Sequence, residues 1–160
     1  MKKLRNRARP GDLLFYRVTP QSGWLARLIA MAQFWRKEGA GAVQYSHVAI
    51  VRNQDECIEA AWPKIRCRPI DWDADVDLCR LYRMGKMRAS HMINSAEAHL
   101  GDWYGLGQLL FWMFPFWRGR YCTTLVQECA IAAGYDLADL AGNVVSPNEL
   151  IEDKQVKRVY

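Results

Sequence analysis

Two β-rich runs, "QYSHVAIV" (44–51) and "ECIEAAW" (56–62), flank the polar turn "RNQD". Such a pair predicts a hairpin, and a hairpin commits the chain to an antiparallel sheet. Side chains alternate across a strand, so the pairing register decides which residues meet. By alternation His47 shares a face with Tyr45, Ala49 and Val51, while Ser46, Val48 and Ile50 take the other. Glu59 joins the face of His47 only if paired residue numbers add to an even sum. Pairing 47 with 59 around a three-residue loop at 52–54 would do this. A two- or four-residue loop would separate them unless a bulge intervened. An even sum or a bulge is the expectation.

The remaining pattern extends the sheet and covers it with helices. "DLLFYRV" (12–18) reads as a strand after the Pro10-Gly11 turn, as do "IRCRPI" (65–70) and "DLCRLYR" (77–83). Ser22 can cap a helix with Trp24, Leu28 and Trp35 at helical spacing, stopped by Gly39 and Gly41. A second helix is expected over 87–100, with Met92, Ile93, Ala96 and Leu100 on one face and Gly101 ending it. A third begins near Cys122 and closes at Gly134. "SPNE" (146–149) starts a short helix, and "QVKRVY" forms a last strand. The sum is an α+β class with helices flanking one mainly antiparallel sheet.

Composition removes several function classes. With 160 residues, 51% hydrophobic and 24% charged, the chain suits one folded domain rather than a disordered segment. Much of the net charge of +5 sits in "MKKLRNRAR", read as a basic, solvated N-terminal arm (1–9) before a domain over 10–160. No aromatic-interleaved basic stripe or nucleic-acid motif is legible, so no nucleic-acid partner is expected. No apolar signal-peptide run follows the basic residues, and no stretch is long enough to span a bilayer. Five cysteines, an odd number, point to reduced thiols. The absence of C-x-x-C and of spaced histidine pairs argues against a metal centre.

Cys122 opens a helix in "RYCTTLVQECAIAAG", on one stripe with Leu125, Val126, Cys129 and Ala133. It reads equally as a packed core residue or as a thiolate, because unpaired N–H groups at a helix start favour an anion. Cys129, at mid-helix, has only the packing role. A nucleophile needs a base, and His47 is the candidate, since His91 and His99 lie on a surface-type helix. Glu59, between Ile58 and Ala60, wants a partner if buried and could orient the imidazole; as an edge-strand residue it would simply face water.

"PGDLLFYR", "YSHVAIV", "CIEAAW", "YCTTLV" and "VSPNEL", in that order, resemble the permuted branch of the NlpC-type, papain-like cysteine hydrolases, often called YiiX-like. More distantly they are similar to lecithin:retinol acyltransferase-type enzymes. The resemblance runs from about Pro10 to Leu150. It implies a circularly permuted papain-like domain in which the histidine strand precedes the cysteine helix. It also implies Cys122 as nucleophile, His47 as base and Glu59 as the residue orienting His47, with no cofactor. Tyr121 falls at a position usually aromatic in the family, and Tyr45, Thr123, Trp103 and Tyr104 are further candidates to line the site. Two positions depart from the family pattern: Thr123-Thr124 stands where a serine-glutamate pair is common, and "GDWYG" (101–105) matches its motif only loosely.

The substrate implied is an amide bond in a peptidoglycan stem peptide, with an acyl lipid as the alternative. A non-catalytic member that only binds in the cleft is a third reading. The run "QLLFWMFPFW" (108–117) would suit a membrane or partner contact if exposed at 109–117, or a core wall if not. Without a signal peptide, the chain is expected in the cytoplasm or delivered to the wall by lysis, phage or a dedicated secretion system.

Overall fold

Strands form where the β-branched runs predict them. In a computed structural model that describes residues 5–17, 45–72, 79–84, 88–105, 120–135, 137 and 147–159, the strands are β1 (Leu13–Arg17), β2 (Tyr45–Val51), β3 (Glu56–Ala61), β4 (Lys64–Pro69), β5 (Cys79–Met84) and β6 (Val156–Arg158). They make one six-stranded sheet in the order β4-β3-β2-β1-β5-β6, antiparallel throughout. The helices among these residues are α1 (Ala89–Ala98), α2 (Cys122–Ala132) and α3 (Pro147–Glu152). The helix expected from Ser22 and the aromatic run 109–117 lie outside the described residues.

The period-two alternation sorts the sheet into two cores. Phe15, Val48, Ile50 and Ile58 pack with Met92, Leu125, Val126 and Leu150 from the helices. Leu14, Ala49, Val51, Cys57 and Leu81 face the other way, against Ala8, Ile70 and Trp72. Each large side chain so buried contributes roughly 1.5–3 kcal/mol. Helix α1 buries Met92 and Ala96 as expected, whereas Leu100 beyond its end is exposed. Gly101 (φ 90°) and Gly134 (φ 85°) take the left-handed conformation after α1 and α2, which explains glycine there.

Of the basic arm, Arg5, Asn6, Arg7 and Arg9 are exposed among the described residues, yet the arm also touches the domain. Arg5 pairs with Asp55, Ala8 is buried in the second core, and Arg83 Nη2 donates to the carbonyl of Arg7 at 2.8 Å. The turn that follows is tied to β2. Gly11 N–H donates to Val51 O at 2.7 Å, and Val51 N–H to Asp12 O at 2.8 Å. Asp12 is buried and receives two bonds from Arg83, both 2.7 Å.

In the β2–β3 hairpin Ala49 faces Glu59, Ile50 faces Ile58 and Val51 faces Cys57. The pairing sum is even, so Glu59 and His47 do share a face. They sit diagonally rather than opposite, because the loop is 53–55. Arg52 N–H already bonds Glu56 O at 2.9 Å, and the Asn53 side chain accepts from Asp55 N–H at 2.8 Å. On the other side of β2, Tyr16 faces His47 but Arg17 faces Tyr45. Ser46 is therefore the extra residue of a β-bulge. The bulge reverses the alternation, so Tyr45 leaves the face of Ala49 and Val51. It joins the first core instead, edge-on to Phe15 with ring centroids 5.8 Å apart.

Candidate active site

Helix α2 is held at its first turn by contacts that a short helix cannot supply alone. Tyr121, in extended conformation, is its N-cap residue. Its N–H donates to Thr124 Oγ1 at 2.9 Å, so the second threonine satisfies one orphan donor of the helix start. Before it, Arg120 bonds both the Glu128 carboxylate and Asp102 Oδ2 (2.9 Å). Gly105 N–H donates to Arg120 O at 2.9 Å. Segments 101–105 and 120–121 are thus stapled together just ahead of Cys122.

Cys122 is buried, with 4% of its surface exposed, and the His47 imidazole is hydrogen-bonded to it. His47 is the third residue of β2, and the bulge that turns Tyr45 away sits directly beside it. Its Nε2 lies 3.0 Å from Glu59 Oε2. The structure therefore brings Cys122, His47 and Glu59 into one chain of contacts from three separate segments. Tyr104 adjoins them: burial pushes its phenol upward, and the charges of Cys122 and Tyr121 add to that.

The sequence reading missed what surrounds Glu59. Its Oε1 accepts from Arg66 Nε (3.0 Å) and Nη2 (2.9 Å), and its Oε2 lies 3.1 Å from Arg68 Nε as well as against His47. Arg68 also donates to the Tyr16 hydroxyl at 2.7 Å and lies over that ring, 5.2 Å from its centre. The Tyr16 ring in turn lies 5.8 Å from the imidazole. Strand alternation could have found the arginines: Arg66 stands opposite Glu59, and Arg68 is two residues along the same face.

The electrostatics follow from these contacts. Burial alone would favour a neutral imidazole, but the hydrogen bonds to Cys122 and Glu59, and then their charges, outweigh it. They lift His47 well above its ordinary 6.5. For Glu59 burial again opposes charge. The bond to His47, the charge of His47 and that of Arg68 overcome it and hold the carboxyl below the usual carboxylate range. At Cys129 burial outweighs a hydrogen bond from Ser95 and the charge of Arg120, and pushes the thiol up to about 11.

The other candidate lining residues divide. Tyr104 and Tyr121 are buried near Cys122, and Thr123 is fully buried. Tyr45 packs in the first core, and Trp103 is 64% exposed, stacked on Lys64 with its ammonium 5.0 Å from the ring centre.

No protein-family model and no curated protein matches the sequence. Among solved structures the chain is similar to one described as metalloprotein yiiX from Escherichia coli O157:H7. Identity is 18% and the TM-score 0.66, over 96% of this chain and 97% of that one. The two share a fold. It is α+β, one domain, with an antiparallel six-stranded sheet and helices against it. No helix among the described residues is long and apolar enough to cross a membrane.

Proposed function

We propose that the protein is a papain-like cysteine hydrolase that works through a thioester on Cys122, with an amide bond in peptidoglycan stem peptides as its substrate. One observation carries the reading: the imidazole of His47 lies between the Cys122 thiol and a buried carboxylate. His47 takes the thiol proton, and Glu59 holds the ring and stabilises its charged form. The sulfur attacks the carbonyl carbon, and the N–H groups of the first turn of α2, which lack intrahelical acceptors, receive the developing oxyanion. The imidazolium protonates the leaving amine as the C–N bond breaks. A water deprotonated by His47 then hydrolyses the thioester and regenerates the thiol.

The relative's description as a metalloprotein raises a bound metal as a question for this chain. Among the described residues no group of three or more His, Cys, Asp or Glu side chains is placed to hold one. Both oxygens of Glu59 already meet arginines. These residues do not fit a bound cation, and no step above uses one.

A lipid acyl hydrolase or acyltransferase using the same three residues is the second reading, favoured by the exposed indoles of Trp62 and Trp103. Incubation with purified sacculi and, separately, with phospholipid vesicles, followed by mass analysis of products, tests both. Stem-peptide fragments that are absent with Cys122→Ala support the first. Free fatty acid or transferred acyl chains support the second, and neither product returns the protein to a binding role.

A further inference from the structure

Trp62, Leu100 and Trp103 are three of the four exposed large hydrophobic residues among those described, at 50%, 41% and 64% exposure. They are not scattered. Segments 63–65 and 101–104 bond to each other through Gly101 N–H to Ile65 O, Ile65 N–H to Asp102 O and Tyr104 N–H to Pro63 O, all 2.9 Å. The three side chains therefore belong to one corner of the molecule. Lys64 joins them, its ammonium over the Trp103 ring.

From this corner a cationic row leads inward. Strand β4 lies at the end of the sheet order. Lys64, Arg66 and Arg68 follow one another at every second residue of β4, which places them on one face. Lys64 is exposed, and Arg66 keeps 55% of its side chain exposed even while bonded to Glu59. Glu59, the carboxylate opposite this row, is buried and neutralised by it. This corner thus brings indole rings, a leucine and the cationic end of β4 close together. The sequence hides this stripe because Trp103 and Leu100 come from a distant segment.

Two exposed indoles with a lysine beside them match the chemistry of a bilayer interface. There, amphipathic rings settle at the headgroup level and cations meet acidic lipid. We propose that this corner docks the protein on an anionic membrane surface, with β4 directing the bound surface toward the Cys122–His47–Glu59 site. The apolar side chains enter the headgroup region, and Lys64 and Arg66 face lipid phosphates. Docking is independent of the chemistry at Cys122.

The test is co-sedimentation of the full chain with vesicles of phosphatidylcholine alone or mixed with phosphatidylglycerol. Wild type and Cys122→Ala should bind the anionic vesicles equally, at least about tenfold more tightly than neutral ones, and binding should weaken as salt rises. Lys64→Glu should reduce binding about fivefold or more. Trp62→Ala with Trp103→Ala should reduce binding to the same vesicles at high salt, where charge is screened. Unchanged thermal midpoints confirm that these variants fold, and Trp62→Phe should retain most of the binding. Equal binding by wild type and these variants, or no vesicle binding at all, overturns the proposal. So does capture by purified sacculi or a single-stranded oligonucleotide in place of vesicles. Loss of Cys122→Ala hydrolysis with vesicle binding intact bears on the catalytic reading alone.

Discussion

His47 Nε2 and Glu59 Oε2 stand 3.0 Å apart although Glu59 pairs across the hairpin with Ala49, two residues further along β2. The contact is diagonal, and it survives because Arg66 and Arg68 hold the carboxylate from its other sides. A charged carboxylate kept in place this way favours the imidazolium. In an NMR titration of the ring protons, His47 should hold its proton above the ordinary 6.5. Glu59→Gln should bring the midpoint down by one unit or more, about 1.4 kcal/mol or greater.

The same shift has a stability consequence with a definite sign. Folding binds the His47 proton more tightly than the unfolded chain does, so the contribution is complete below 6.5 and fades as pH rises through the elevated folded value. Urea unfolding of wild type against His47→Gln should therefore show its largest difference near about pH 6 and a smaller one near about pH 9. A difference that grows with pH would mean the imidazole is held neutral.

Asp12 and Arg83 make a second buried charge contact, far from the hairpin in sequence. Asp12 is 1% exposed, whereas Arg83 keeps 29% of its side chain in contact with solvent. Asp12→Ala strands a partly buried guanidinium and frees the turn before β1. The expected loss is about 2–4 kcal/mol, less than for a fully enclosed pair. Thermal or urea unfolding measures it, and thiol reactivity at Cys122 should change little.

Much of this architecture was legible because it rests on local patterns. Alternating apolar runs marked β1 to β6 to within a residue or two, and the first-turn position of Cys122 followed from helical spacing and Gly134. What stayed hidden depends on how strands meet. The bulge at Ser46 arises from pairing with β1, and nothing in "YSHVAIV" announces that Tyr45 changes face. The three-residue loop falls one residue later than 52–54, with the Asn53 side chain accepting from Asp55 N–H, and this moves the partner of Glu59 from His47 to Ala49. Arg66 and Arg68 show their role only when β4 is laid beside β3. The clamp of Arg120 on Asp102 and Glu128 joins residues that lie far apart in the sequence.

Alkylation kinetics at Cys122 test the central claim most directly. Limiting iodoacetamide, with each cysteine followed by peptide mass, should label Cys122 ahead of Cys57, Cys67 and Cys129. Two barriers face the competitors: Cys57 is fully buried, and burial raises the thiols of Cys67 and Cys129. His47→Ala should slow the Cys122 reaction at neutral pH by roughly tenfold or more and leave the others unchanged. Labelling of Cys122 no faster than Cys129, or at a rate indifferent to His47, would contradict the assignment of that thiol as a nucleophile.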